Sequence, residues 1–295
     1  MERKDKIDAT GAIALIGFAV VLAFNQVVIK TTNAGFQPVF VAALRSILAL
    51  CVLLVWMRIR GIVITRPSRA LAMAGLLAGL LFTAEFVCLY IALDLTAVSR
   101  ASIIFYSMPV FLALAAHFWI EGERLTRVRG FGLLLAMAGV IWVLVDRDNG
   151  EANLIGDLAA LGAALGWGGI ALTVRVTALA HEKPEVQLLW QLAVSSVLLM
   201  VFAPLFGPLL RDLAPIHFAG LLFQVFAVAS FGYLFWFFLM KRYPASGVAS
   251  FSFLSPAFSV LMGWMILGED IGGEIFGGLV LVGLGLVFIN RKPST

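Results

Sequence analysis

The sequence predicts an all-α integral membrane protein whose ten transmembrane helices form two inverted five-helix repeats around a central cavity. Three observations predict this fold: an apolar composition, positive charges gathered on one side of the membrane, and similarity between the two halves. Of the 295 residues, 62% are hydrophobic and 13% are charged, and the mean hydropathy is +1.02. Soluble domains carry about 25% charged residues, so this chain has too little polar surface for a soluble enzyme.

Apolar segments recur along the whole chain, and each is close to the length of about 20 residues that crosses a hydrocarbon core. Charged or Pro/Gly-rich breaks separate these segments. The ten predicted spans, numbered in chain order, are 10–30, 38–57, 70–93, 97–119, 128–145, 154–174, 186–206, 215–239, 244–267 and 273–290.

Positive charges collect on one side when the N-terminus is placed in the cytoplasm and the spans alternate. Sixteen of the 21 Lys and Arg residues then lie at cytoplasmic ends and loops, four lie on the other side, and Arg45 lies inside a span. This bias follows the positive-inside rule and predicts a multi-pass protein of a bacterial-type cytoplasmic (inner) membrane, with both termini cytoplasmic. Basic residues in such short loops favour contact with lipid headgroups over nucleic acid.

The two halves of the chain match each other at a nearly constant separation of 145 to 147 residues, which indicates an internal repeat. Pro109 is followed by Gly122-Glu123, and Pro256 is followed by Gly268-Glu269. Because each half holds five spans, an odd number, the second copy must sit upside down relative to the first. We expect repeats over residues 1–149 and 150–295.

The charges of corresponding turns agree with this inversion. The turn at 121–129 carries three Arg against two Glu, and its counterpart at 268–274 carries three acidic residues and no Lys or Arg. Inverted repeats related by an axis in the membrane plane recur in secondary transporters, whose substrate sites lie near the midplane where the repeats meet. The sequence therefore predicts a carrier with a central site.

The doubled proline and Gly-Glu pattern resembles the EamA-type members of the drug/metabolite transporter superfamily, over essentially the whole chain. This resemblance implies that the first four helices of each half enclose the cavity while the fifth packs behind them. It also implies export of amino acids, metabolites or drugs. Within the family, the chain also resembles bacterial exporters of aromatic amino acids.

Two charged residues lie deep inside predicted spans, where ionisable groups usually face a cavity or a partner. Glu85 lies mid-span in 70–93, with no other charged residue within eight positions. It can contact a substrate ammonium group or exchange a proton, or it can form a structural pair with Arg45 of the neighbouring span. Since the repeat counterpart of Arg45 is the neutral Gln191, we interpret Arg45 as structural.

Helical spacing selects further candidates for the cavity lining. Positions i, i+3 and i+7 of span 3 place a hydroxyl and two aromatic residues on one face, and the pattern recurs 147 residues later. Such a lining suits a solute with an apolar ring. The alternative is ordinary helix packing plus an interfacial aromatic belt, which we favour for most of the aromatic residues, while we favour the lining role for Tyr90 and Tyr233. Isolated Asn and Gln residues are candidates too, or they join helices by hydrogen bonds. The predicted substrate-binding residues are Asn25, Gln26, Thr83, Glu85, Phe86, Tyr90, Ser102, Tyr106, Trp167, Gln224, Ser230, Tyr233 and Phe237.

Pro109 and Pro256 occupy corresponding mid-span positions. Proline has no amide hydrogen and leaves a carbonyl one turn back without its helical donor. Both positions are therefore predicted hinges or gates for alternating access. The alternative is a static kink whose free carbonyl is satisfied by nearby serine hydroxyls.

Taken as a whole, the pattern predicts a secondary transporter that exports small organic solutes, with aromatic or other neutral amino acids as the favoured class. The alternatives are a multidrug or metabolite exporter of the same fold and, in a different class, an intramembrane enzyme dependent on Glu85. The sequence has no nucleotide-binding loop or metal-ligand motif, so we expect neither cofactor nor metal. The expected partners are an amino-acid-like solute and the lipid bilayer, and an oligomer is compatible but not required.

Overall fold

A computed structural model describes residues 8–63, 66–120, 125–146, 152–243, 251 and 254–289. Within these residues the chain is helical, and its only β-structure is an isolated bridge between Phe36 and Leu210. Eight helices are long and apolar enough to cross a membrane, and two shorter apolar helices follow them. All ten predicted spans therefore correspond to helical segments, and the predicted fold class is confirmed.

Six spans are single α-helices in the described residues. They are span 1 Ala9–Asn33, span 2 Pro38–Ile59, span 3 Arg69–Leu95, span 5 Arg127–Val145, span 6 Leu154–Val176 and span 10 Gly273–Ile289. The other four combine shorter helices. Span 4 is Val98–Phe105 with Met108–Trp119, span 7 is Pro184–Phe202 with Ala203–Phe206, span 8 is Pro215–Phe223, Gln224–Ser230 and Phe231–Arg242, and span 9 is Leu254–Met262 with Gly263–Leu267.

Local sequence signals set where the spans begin. A polar side chain at the N-cap accepts a hydrogen bond from the amide three residues later, which satisfies a donor that has no helical partner. The residues that do this are Asp8, Gln37, Ser68, Thr126 and Asn153, ahead of spans 1, 2, 3, 5 and 6. Proline opens spans 2, 7 and 8, where its missing amide hydrogen costs nothing.

Span 4 is interrupted one turn ahead of Pro109. Its first helix ends at Phe105, and Tyr106 and Ser107 form a turn before the second helix. The hydroxyl of Ser107 donates to the carbonyl oxygen of Ile104 at 2.6 Å, which satisfies one backbone group at the break. Pro256 lies in the first turn of Leu254–Met262, and most of the segment predicted ahead of it, 244–250 and 252–253, lies outside the described residues.

Spans 5 and 10 carry direct evidence for the inversion of the two halves. A methyl carbon placed on Gly132 would lie 2.7 Å from the carbonyl oxygen of Gly285, and one on Gly139 would lie 2.8 Å from that of Gly278. At a separation of 146 residues, Gly132 corresponds to Gly278 and Gly139 to Gly285. Each glycine therefore faces the counterpart of the other, which is the reciprocal contact that a two-fold relationship produces.

The remaining spans pack around a common axis with the same reciprocity. Span 1 contacts span 9 while span 4 contacts span 6, and span 3 contacts span 7 while span 2 contacts span 8. Spans 5 and 10 pack on each other, away from spans 2, 3, 7 and 8. Large apolar side chains such as Leu134 and Phe276 on the outer faces of spans 5 and 10 are exposed, as contact with lipid requires.

Candidate functional site

A cavity of about 530 Å³ lies between the two halves. This volume is within the range of about 300–1,000 Å³ typical of small-molecule pockets. Its lining comes from spans 1, 2, 3 and 4 of the first half and spans 6, 7, 8 and 9 of the second. No described lining residue belongs to span 5 or span 10. The cavity is thus enclosed by the first four helices of each half, as the family resemblance implies.

The structure brings seven of the predicted substrate-binding residues and one predicted hinge to this cavity. They are Asn25, Gln26, Glu85, Phe86, Tyr106, Trp167 and Tyr233, together with Pro109. They come from spans 1, 3, 4, 6 and 8, so residues far apart in the sequence line the same cavity.

Other predicted residues lie outside the lining. The hydroxyls of Thr83 and Ser230 donate to backbone carbonyls of their own helices, at 2.8 Å in each case. Ser102 is buried, and its hydroxyl has no hydrogen-bond partner among the described residues. Pro256 is also buried and does not line the cavity. Tyr90 and Gln224 contact each other at one end of the bundle. The side chain of Phe237 lies outside the described part of the chain.

The face of span 3 that lines the cavity differs from the predicted one. Phe82, Glu85, Phe86 and Leu89 form the lining, whereas the prediction placed Thr83, Phe86 and Tyr90 on the lining face. The predicted face is the observed face shifted by one residue along the helix, which corresponds to a rotation of roughly 100° about the helix axis. Periodicity shows that residues share a face, but it does not show which face of a uniformly apolar helix points inward.

Arg45 and Glu85 both line the cavity. Arg45 is 2% exposed and Glu85 is 6% exposed. The guanidinium carbon of Arg45 lies 4.3 Å from the centre of the Phe86 ring, and the hydroxyl of Tyr233 lies beside the guanidinium. Within the described residues, Arg45 and Glu85 form no direct ion pair, although they are near enough to interact electrostatically. The structure therefore does not support the predicted alternative of a simple structural salt bridge.

Aromatic rings form a second part of the wall. Phe105 stacks on Trp167 with ring centres 5.0 Å apart, and Tyr106 meets the same indole edge-on at 6.1 Å. Phe82 and Phe86 form a tilted pair at 4.4 Å on span 3. These rings make an apolar surface suited to a planar or aliphatic side chain. Phe82 and Phe105 were not among the predicted residues, although Phe82 lies one turn before Phe86 and Phe105 adjoins Tyr106.

Polar groups complete the lining near the break in span 4. The hydroxyl of Tyr106 lies beside the side chains of Gln26 and Ser255, which come from spans 1 and 9. The side-chain oxygens of Asn25 and Gln26 are buried and have no hydrogen-bond partner in the part of the chain that the structure describes. Buried polar groups are normally satisfied, so these oxygens provide acceptors for a bound polar solute.

The cavity extends toward the end of the bundle where spans 1 and 7 begin. Its lining includes Leu15 and Phe18 from the first half of span 1, and Pro184 and Gln187 from the first turn of span 7. At this end the hydroxyl of Tyr243 donates to the Asp8 carboxylate at 2.8 Å.

The opposite end of the bundle is closed by side-chain hydrogen bonds. The hydroxyl of Tyr90 donates to the side-chain oxygen of Gln224, whose amide nitrogen donates to the hydroxyl of Thr32 at 3.1 Å. The amide nitrogen of Asn33 donates to the carbonyl oxygen of Tyr90 at 2.9 Å. These hydrogen bonds join spans 1, 3 and 8 at the closed end of the bundle.

An exposed ion pair reinforces the same end. Arg211, in the loop between spans 7 and 8, donates to both carboxylate oxygens of Asp94 at 2.7 and 2.9 Å. It also donates to the carbonyl oxygen of Asn33 at 2.9 Å. The hydrogen bonds to Asp94 raise the pKa of Arg211, so the guanidinium stays charged at any physiological pH.

Four buried charges at this closed end were missed by the sequence analysis. Arg100 and Asp157 form an ion pair between spans 4 and 6. The carboxylate of Glu269 accepts hydrogen bonds from the backbone amides of Val98 and Ser99, at 2.5 and 2.9 Å. Glu274 is also buried. All four lie close to predicted span ends, so their positions in the sequence suggested contact with water.

Comparison with known proteins agrees with this architecture. The EamA-like transporter family model matches residues 9–145 and again residues 154–291. The uncharacterized transporter YvbV of Bacillus subtilis (strain 168) is 25% identical over 90% of this chain and 87% of its own length. A match to the uncharacterized transporter YoaV of the same organism, also 25% identical, covers 58% of this chain and 59% of that protein.

Two further comparisons cover nearly the whole chain. The "Probable amino-acid metabolite efflux pump" of Escherichia coli (strain K12) is 27% identical over 92% of this chain and 89% of its own length. A solved crystal structure superimposes with a TM-score of 0.67 over 94% of this chain and 96% of its own chain, at 21% identity, which is a similarity of fold alone. From the doubled family match, the inverted halves and the enclosed cavity, the chain belongs to the EamA-like transporter family, and it is a multi-pass membrane protein.

Proposed function

We propose that this protein exports small organic solutes, principally aromatic and other neutral amino acids, across the cytoplasmic membrane by alternating access. The observation that carries the proposal is the cavity between the halves, which is lined by both aromatic rings and two charged side chains. An amino acid offers the matching chemistry, because it combines an apolar side chain with a positive and a negative group. The name of the Escherichia coli relative, an amino-acid metabolite efflux pump, supports the same class of solute.

The asymmetry between the two ends of the bundle supports alternating access. The cavity extends toward the beginnings of spans 1 and 7, and hydrogen bonds and ion pairs close the other end. With the orientation that the positive-inside rule predicts, the open end faces the cytoplasm and the closed end faces outward. Release would then require the outer contacts to part as the halves rock about the site.

A second candidate is export of lipophilic cations by the same cavity. Glu85 lies among Phe82, Phe86 and Leu89, and a carboxylate in an apolar, aromatic pocket is suited to an organic cation. The two candidates differ in the need for a solute carboxylate, so a transport assay with both kinds of solute separates them.

The test is flux through the full chain in proteoliposomes. Labelled phenylalanine, labelled leucine and a labelled lipophilic cation would be measured in counterflow, with and without a pH gradient. We expect saturable phenylalanine flux, and we expect preloaded cells that express the chain to lose phenylalanine faster than cells without it. Cation flux without amino acid flux would instead favour the second candidate.

Glu85 is tested in the same assay. Glu85→Gln should reduce phenylalanine flux about tenfold or more, because the proposed charge-assisted hydrogen bond between the carboxylate and the ammonium group of the solute is lost in a buried site. The matched control is Glu182→Gln, the same change in the loop between spans 6 and 7. Unaltered flux in Glu85→Gln would remove Glu85 from the site. Wild-type flux that ignores the pH gradient would remove its proposed role in proton exchange.

A further inference from the structure

Arg45 is a buried cation whose donors are largely unused. Its side chain is in the cavity lining, and its Nε and Nη1 atoms have no hydrogen-bond partner among the described residues. An unpartnered charged donor inside a protein is costly and is retained where it serves a partner that comes and goes.

The surroundings of Arg45 hold the guanidinium without neutralising it. The Phe86 ring faces it at 4.3 Å, and the Tyr233 hydroxyl lies beside it. A ring face stabilises a cation but does not occupy its N–H donors in the plane of the guanidinium. Nε carries one free N–H group and Nη1 carries two, and on a fixed, charged guanidinium each can donate a charge-assisted hydrogen bond to a carboxylate oxygen.

Glu85 lies next to Phe86 on span 3 and is held from behind by span 6. A methyl carbon placed on Gly166 would lie 3.1 Å from the Cβ atom of Glu85, so the helices touch at this point. The carboxylate makes no described hydrogen bond and no direct ion pair with Arg45. The cavity wall thus presents one positive and one negative group side by side, and neither has a direct partner of opposite charge among the described residues.

These charges break the two-fold relationship of the site. At the separation of the repeat, Arg45 corresponds to Gln191 and Glu85 corresponds to Gly232, and both counterparts also line the cavity. The second half therefore has a neutral amide and a glycine without a side chain at the two positions where the first half has a positive and a negative side chain. A solute with two charged ends would bind to the first half only, in one orientation.

We infer that Arg45 is the carboxylate-binding residue of the transported solute and that Glu85 receives its ammonium group. The apolar side chain of the solute would then lie against Phe105 and Trp167. This inference rests on the proposed function and assigns Arg45 a role in place of the structural one that the sequence suggested. It also sets a requirement: the preferred solute carries a free carboxylate next to a free amine.

The test measures ligand binding, so that it does not depend on transport. Purified full-length protein in detergent would be titrated with L-phenylalanine, with L-phenylalaninamide, which has no carboxylate, and with 3-phenylpropionate, which has no amine. Dissociation constants follow from the shift of the melting temperature with ligand concentration. The variants are Arg45→Gln, which copies the repeat counterpart, and Arg45→Lys, with Arg58→Gln on the same span as the control.

We expect the wild-type protein to bind phenylalanine more tightly than either analogue. Arg45→Gln should weaken the binding of phenylalanine and of 3-phenylpropionate about tenfold or more, because hydrogen bonds to a charged group are lost. The dissociation constant of phenylalaninamide should stay within about twofold of the wild-type value. Arg45→Lys should weaken phenylalanine less than Arg45→Gln does, since it keeps the charge without the planar fork. Arg58→Gln should change none of the three.

If Arg45→Gln loses affinity for phenylalanine and for phenylalaninamide to the same extent, the assignment is overturned, because the substitution then acts on the structure of the site and not on the carboxylate. If Arg45→Gln does not fold, a wild-type protein that binds phenylalaninamide as tightly as phenylalanine would overturn it instead. Failure of the proposed function has a different signature. The protein would then bind phenylalanine and 3-phenylpropionate through Arg45 while the flux assay shows no amino acid transport.

Discussion

Arg100 of span 4 and Asp157 of span 6 form a fully buried ion pair, with Nη2 of Arg100 2.7 Å from a carboxylate oxygen of Asp157. The guanidinium also donates to the carbonyl oxygens of Val143 and Asp146, and the Thr96 hydroxyl donates to Asp157 at 3.0 Å. One residue belongs to each half, so the pair joins the two repeats at the closed end. A buried pair of this kind is destabilising when only one partner is removed.

Asp157→Asn should lower stability, because it leaves the Arg100 cation buried without a counter-charge. We expect a loss of about 3 kcal/mol, seen as a fall of several degrees in the melting temperature of the purified protein. Asp270→Asn, an exposed position, is the control. The double variant Arg100→Met/Asp157→Leu should be more stable than the sum of its single variants predicts. Strict additivity would show that the pair does not couple the halves.

Glu269→Gln should loosen the closed end, because its carboxylate caps span 4 through the amides of Val98 and Ser99. Loss of charge-assisted hydrogen bonds would shift the balance toward the outward-open form about tenfold. Ser99→Cys, in a background without Cys51 and Cys88, reports the shift through its labelling rate with an impermeant maleimide applied from outside. Asp270→Asn should leave that rate unchanged. An equal rate in Glu269→Gln would mean that this cap is not part of the gate.

The inversion and the orientation predict opposite accessibility for corresponding turns. In the same cysteine-free background, Leu125→Cys should react with an impermeant maleimide only in inverted vesicles, and Ile271→Cys only in intact cells. Leu125 lies between spans 4 and 5, and Ile271 lies between spans 9 and 10. The proposed topology therefore places the two residues on opposite sides of the membrane. Labelling of both cysteines from one side would contradict the proposed arrangement in the bilayer.

Gly285→Ala should separate spans 5 and 10. The added methyl carbon would lie 2.5 Å from the carbonyl oxygen of Gly132, which is backbone and cannot move aside alone. Overpacking of this kind costs about 1–3 kcal/mol, measured as a lower melting temperature. Gly283→Ala on the same span meets no atom within 4 Å and should be neutral or slightly stabilising. Similar stability of the two variants would contradict the close glycine contact.

Trp167→Leu should reduce the preference for aromatic solutes. The indole stacks on Phe105 at 5.0 Å and contributes to the cavity wall. Aromatic contacts of this type are worth about 0.5–1.5 kcal/mol beyond the area they bury. The ratio of phenylalanine to leucine binding should therefore fall about two- to tenfold. Trp264→Leu, at an exposed position of span 9, should leave the ratio unchanged; an equal fall there would contradict a role for the Trp167 contact.

The helical class, the ten spans and the inverted repeat follow from the amino-acid sequence alone. A segment in hydrocarbon must satisfy its own backbone, so apolar length alone predicts a helix, and a duplication leaves matched residues such as Pro109 and Pro256 at a readable spacing. Glu85 also stood out, because an isolated charge in an apolar run is visible without a structure.

Which side chains meet in the folded protein depends on how the helices pack. The orientation of span 3 places Phe82 and Leu89 in the cavity lining and Thr83 outside it. The sequence of a uniformly apolar helix does not show which of its faces points to the cavity. The packing of span 4 on span 6 converted Arg100 and Asp157 from residues near span ends into a buried pair. Arg45 of span 2 lines the cavity and forms no ion pair with Glu85. Contacts between distant residues depend on how helices rotate and tilt against one another, and that information is distributed over the whole interface.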